Sequence, residues 1–216
     1  MATRLLPFRQ YNEQDVVNLF SLDTSSFTLT NMTHLGNGNW DAGVIVKISN
    51  GDMTQEPVAD APTALQNYLG KTDYPHVGGN NYSEVPLKVA VADGNSDIPF
   101  GVTLNQTIAY DENGEKLLYY KQKLLELQGV LPGEAVPVLT KGIITVAASG
   151  IAGIPTAGSA IYAGTSGNAG KFSTNSGNFK VGTCLAVGNR DDVGTSPDYF
   201  AGTGAAGKYY VIKIDL

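Results

Sequence analysis

Sixteen of the chain's 26 glycines fall after residue 128, placed between short runs of β-branched and aromatic residues. Glycine in a helix or strand interior costs roughly 0.5–1 kcal/mol relative to alanine, because it surrenders the most backbone freedom on folding. A segment this rich in glycine therefore folds as short strands that use the glycines as turns. The apolar runs are residues 135–139, 142–146, 160–163, 179–187 and 208–214. Between them stand Pro132-Gly133, Ser149-Gly150, Ala157-Gly158, Ser166-Gly167-Asn168 and Ser176-Gly177-Asn178. Strands recurring at such intervals predict a small β-barrel or sandwich. Glycine does not occupy every third place, which excludes collagen, and no period repeats cleanly enough for a solenoid.

The front of the chain differs. Residues 1–128 hold 15 acids and 8 bases, and residues 129–216 hold 5 acids and 6 bases. We read an N-terminal arm over 1–22, an acidic β-rich part over 23–128 with an insertion at 53–84, and a Gly-rich barrel part over 129–216. Residues 23–216 also read as one interleaved domain. The fold class is mainly β, with an extended arm and an inserted loop region. Strands are predicted at 43–48, 86–92, 100–104 and 107–110. Asn50-Gly51 is a favourable hairpin pair, and a short helix is predicted over 62–70. Asp111-Glu112-Asn113-Gly114 is the strongest hairpin signal in the chain, since Asn-Gly reaches positive φ at low cost. After it we expect a strand to Tyr120 and a helical turn near 123–128.

Concentrated chemistry is hard to find. Charged residues make up only 16% of the chain, and no basic cluster exceeds Lys121-Gln122-Lys123, which excludes a nucleic-acid footprint. The acidic balance disfavours anionic membranes, and no apolar stretch approaches the roughly 18 residues of a membrane span. His34 and His76 lack partners at metal-ligand spacing, so no metal is expected. Gly202-Thr203-Gly204-Ala205-Ala206-Gly207 matches a dinucleotide fingerprint by letters, but a strand pattern follows it where a helix is required. No cofactor and no catalytic residue are therefore expected, and the chain reads as non-enzymatic. Cys184, the single cysteine, lies in an apolar run and reads as a buried small hydrophobe. Tyr119-Tyr120 and Tyr209-Tyr210 are adjacent pairs; in a strand, one ring of each points inward and the other outward. The segment Met1–Pro7 is not a secretory signal, which leads us to expect assembly in a cytoplasm.

Two stretches together resemble a known group. One is Leu5-Leu6-Pro7-Phe8-Arg9-Gln10-Tyr11-Asn12-Glu13-Gln14-Asp15-Val16-Val17-Asn18-Leu19-Phe20. The other runs from Phe100-Gly101-Val102-Thr103-Leu104 through Leu131-Pro132-Gly133-Glu134 to Lys180-Val181-Gly182-Thr183-Cys184. They are similar to small virion structural proteins of tailed bacteriophages that decorate or cement the head. The likeness covers roughly residues 1–22 and 99–190 and leaves 53–84 without a counterpart. It implies a capsid-bound, non-enzymatic β-barrel, a homotrimer or other homo-oligomer, located on the capsid head and assembled in the host cytoplasm. Its partner would be the major capsid protein.

On this reading the arm is the anchor. Phe8, Tyr11, Val16, Val17, Leu19 and Phe20 would supply apolar contact, and Arg4 and Arg9 would pair with acidic capsid groups. The competing use of the same residues is as ordinary strands of the monomer's own core. A reading from another class is a receptor- or carbohydrate-binding module of a phage fibre or tail, with exposed tyrosines and Trp40 as stacking platforms.

Overall fold

The computed structural model describes residues 4–23, 41–51, 85, 87–189 and 208–216. The chain enters through β1 (Leu5–Gln10), β2 (Val16–Val17) and β3 (Ser21–Leu22). Then come β4 (Ile45–Asn50), β5 (Lys88–Val91), β6 (Gly101–Thr103) and β7 (Gln106–Thr107). One short helix, α1 (Lys121–Glu126), precedes β8 (Gly129–Val130), β9 (Val138–Leu139), β10 (Lys141–Ala147) and β11 (Ile151–Ala152). The chain closes with β12 (Ala160–Ala163), β13 (Phe172–Ser173), β14 (Lys180–Asn189) and β15 (Lys208–Asp215).

These strands form a mainly β fold in sandwich-like layers. A seven-stranded sheet has the order β1-β10-β15-β14-β12-β13-β11, and a six-stranded sheet has the order β2-β9-β6-β4-β5-β3. The pair β7-β8 stands apart. Both large sheets are open, so the sandwich alternative describes the molecule and a closed barrel does not.

Side-chain periodicity explains the layering. Along β15, Tyr210, Ile212 and Ile214 are buried while Lys213 and Asp215 face water, the alternation of a strand covered on one side. Val44, Ile45 and Val46 are all buried, the continuous run expected where both faces are covered. Ile45 points into the largest core, with Val102 and Leu139 of its own sheet against Ile144, Ile161, Phe172, Tyr210 and Ile212 of the other. Val44 and Val46 point the opposite way, into a second cluster with Phe20, Leu22, Val89 and Val136. A third, smaller cluster gathers Ile108, Leu117, Leu124 and Leu131 beside α1.

Backbone hydrogen bonds lace the two sheets. Ile45 N donates to Gly170 O at 2.9 Å, and Gly170 N donates to Ala92 O at 3.0 Å. Gly170 has φ +74°, and a Cβ there would lie 2.7 Å from Val91 and 2.8 Å from Val44. Only glycine brings the chain this close at that conformation.

The arm, the acidic part and the Gly-rich part share these cores. β1 pairs with β10, β2 with β9, and β3 with β5. Leu5 and Phe20 are buried, so the N-terminal stretch is extended and is also built into the monomer.

Some local expectations differ from what is found. Residues 115–120 do not form a strand: Tyr110 bridges Lys116 once, and the chain then turns into a 3-10 turn at Leu117–Tyr119 and into α1. The turn before this segment is closed by Asp111, whose side chain accepts from the backbone N–H groups of Asn113 and Glu115. Only Val138–Leu139 of the run 135–139 is a strand. Asn50 pairs with Lys88, so Asn50-Gly51 does not close a two-residue hairpin. The insertion 53–84, the helix expected at 62–70, His34, Trp40, His76 and the motif at 202–207 lie outside the described residues.

Candidate interaction surface

The arm's first strand is an edge strand with a bulge. Its register with β10 runs from Leu6 opposite Thr145 directly to Arg9 opposite Ile144, which leaves Pro7 and Phe8 out of the ladder. Proline has no N–H to contribute, so pairing fails there. The consequence is a projecting Phe8 ring, 61% exposed.

Arg9 fastens the bulge at its far side. Its Nε donates to Leu6 O at 3.1 Å and its Nη2 to Gln128 Oε1 at 3.1 Å. Gln128 carries φ +50° at the end of α1, a position that directs its side chain back toward the arm.

Arg4 has a different fate. It is buried, its backbone N–H donates to Asp41 Oδ2 at 3.3 Å, and Ala42 N donates to Asp41 Oδ1 at 2.8 Å. Burial pushes the Asp41 carboxyl up, opposed by the hydrogen bond and charge of Arg4; burial pushes the Arg4 guanidinium down, opposed by Asp41. Arg4 is thus a structural residue here and offers no outward charge. Phe20 also turns inward, packing edge-on against Phe100 with ring centroids 5.2 Å apart.

Of the eight arm residues singled out from the sequence, Arg4 and Phe20 belong to the protein's own interior. Val16 and Val17 are half-buried opposite Leu139 and Val138, and Arg9 is half-buried at the α1 seam. Phe8, Tyr11 and Leu19 face solvent, Leu19 at 47%. The arm therefore presents three apolar side chains outward while its backbone is held by the fold.

A second exposed apolar cluster adjoins this one. Tyr119 and Tyr120 are 65% and 49% exposed and line a single cleft of about 470 Å³ with Lys121, Gln122, Lys123 and Glu126. Leu125 of α1, which follows them, is 75% exposed. Glu126 also lines the cavity beneath Pro7, Arg9 and Gln128, so the two regions are neighbours. Strand alternation would send one tyrosine inward, but the 3-10 turn leaves both outside.

No known protein family, characterised protein or solved structure matches the chain.

Among the described residues, no group of three or more His, Cys, Asp or Glu side chains is placed to hold a metal ion. No described helix is long and apolar enough to cross a membrane. Cys184 is buried, and burial raises its thiol pKa, partly offset by a hydrogen bond with the Ala186 backbone; its Sγ also donates to Ala186 O at 3.6 Å. A nucleophile needs accessible thiolate, and this environment opposes it. Lys208–Asp215, which follows the motif in sequence, is an inner strand of the seven-stranded sheet.

Proposed function

We propose that this protein is a non-enzymatic virion structural protein that binds the capsid surface of a tailed phage and stabilises the head. The observation that carries the reading is the bulged edge strand, which projects Phe8 from a backbone pinned by Arg9. Covering the part of Phe8 that is still exposed is worth about 1–2 kcal/mol, and Tyr11 and Leu19 add to it. Small interfaces of this kind multiply over many copies on a shell.

The partner is the major capsid protein, met by homotrimers or another homo-oligomer of this chain on the head. Binding rather than turnover is the activity, without cofactor, nucleic acid or membrane. The pinned arm also matters energetically. A preorganised anchor avoids most of the ordering cost that a free tail pays on docking.

The test is co-sedimentation with heads that lack the protein. Wild type is expected to pellet with heads, and Phe8→Ala combined with Leu19→Ala to remain in the supernatant while keeping the wild-type circular dichroism spectrum.

A further inference from the structure

We propose that the cleft of Tyr119 and Tyr120 is a carbohydrate site, binding a neutral pyranose by stacking on the tyrosine rings. This site neighbours the arm but is lined by none of Phe8, Tyr11 and Leu19.

Two adjacent aromatic rings are exposed together on one cleft, although exposure forgoes the burial that aromatic side chains usually gain. Tyrosine offers a large, rigid, amphipathic surface and loses little entropy on contact, since it has only two side-chain torsions. The axial C–H groups of a sugar ring meet such a surface through weak C–H contacts, while its hydroxyls need donors and acceptors around the rim.

The rim supplies these. Lys121 is a donor, Glu126 an acceptor, and Gln122 is both. None of the three is held by another side chain among the described residues. Lys123, by contrast, is committed to Asp111 and Glu112. That commitment, with the backbone bonds from Asn113 and Glu115 to Asp111, holds the turn that presents the rings. The depression, of about 470 Å³, is shallow and open to solvent, so a sugar ring would lie across the tyrosines with its other face in water. Both signs of charge are present on the rim, which favours a neutral ligand over a phosphate or a polyanion.

The experiment is saturation-transfer NMR on the intact protein with maltotriose, cellotriose and N,N′,N″-triacetylchitotriose at millimolar concentration. At least one is expected to receive saturation at its ring C–H protons. Affinity should fall at least tenfold in Tyr120→Ala and in Tyr119→Ala, and be largely kept in Tyr120→Phe. It should be unchanged by Phe8→Ala, and by raising salt from 50 to 500 mM. Tyr120 is half exposed, and Tyr120→Ala is expected to keep the wild-type thermal midpoint. Absence of transfer to all three sugars overturns the proposal, as does binding that survives both alanine substitutions. If the tyrosine variants lose association with heads and no sugar binds, the cleft is a protein-contact surface instead. Failure of Phe8→Ala and Leu19→Ala to affect head binding would strike the arm reading alone.

Discussion

Arg9 donates to the Gln128 side-chain oxygen at 3.1 Å and so joins the N-terminal edge strand to the end of α1, across 119 residues of sequence. The same guanidinium holds Leu6 O, on the other side of the Pro7-Phe8 bulge. One side chain therefore braces the bulge; Leu5 before it is buried and Phe8 within it is exposed, with different roles in the fold.

Those roles come apart by mutation. Leu5→Ala removes a buried side chain from the largest core and should cost about 2–5 kcal/mol. Phe8→Ala removes an exposed one and should change stability by less than about 0.5 kcal/mol. Urea unfolding of both variants checks this. Equal losses would mean that the bulge is packed.

Asp111 and Lys123 give a pH signature. The Lys123 hydrogen bond holds the Asp111 carboxyl below the ordinary carboxylate range, helped by the N–H groups of Glu115 and Asn113. Its contribution is complete above about pH 4, the unfolded value, and is lost as pH falls through the depressed folded value. Lys123 is raised by Asp111 and then Glu112, so its contribution is complete below about pH 10.4 and is lost as pH rises through the raised value. Asp111→Asn should lower the thermal midpoint at pH 7 and flatten its dependence on acid below pH 4. Parallel midpoint curves from pH 7 to pH 2 for the two proteins would refute the assignment.

Glycines 167 and 182 should respond in opposite ways to alanine. A Cβ at Gly182 would lie 1.9 Å from Lys213 O, within the central ladder of β14 and β15, so Gly182→Ala should cost about 3 kcal/mol or more. A Cβ at Gly167 meets nothing within 4 Å, and Gly167→Ala should be neutral or stabilise by up to about 1 kcal/mol. Denaturation midpoints distinguish them.

Cys184 should resist a disulfide reagent in the native protein and react at once in denaturant, because it is buried and its thiol is held protonated. Stoichiometric labelling within minutes under native conditions would show that the sheet opens at β14.

Periodicity made the long strands legible. The run 160–163 is β12 to the residue, and 208–214 falls within β15, because buried and exposed positions alternate over enough residues to set the pattern. The two-residue strands β2, β3, β11 and β13 escape such reasoning, since pairing across the sheet and not local propensity defines them. The arm was legible as apolar but not in its division between inside and outside. Pro7 is the signal that was there to find, as a residue that breaks an edge ladder and turns Phe8 out. From sequence alone Tyr119 and Tyr120 read as the end of a strand. The Asp111 side chain closes the turn at 111–115, and the chain that leaves it forms the 3-10 turn at Leu117–Tyr119, after which both rings lie at the surface.

On the proposed reading, exposed side chains of a pinned arm hold this protein to a capsid. Co-sedimentation of purified protein with undecorated phage heads tests it most directly. Wild type should pellet to a saturating, fixed ratio per capsid subunit, and the Phe8→Ala, Leu19→Ala double variant should lose at least tenfold in affinity while remaining folded. Wild type that stays in the supernatant at every concentration, or a double variant that pellets equally well, would contradict the account.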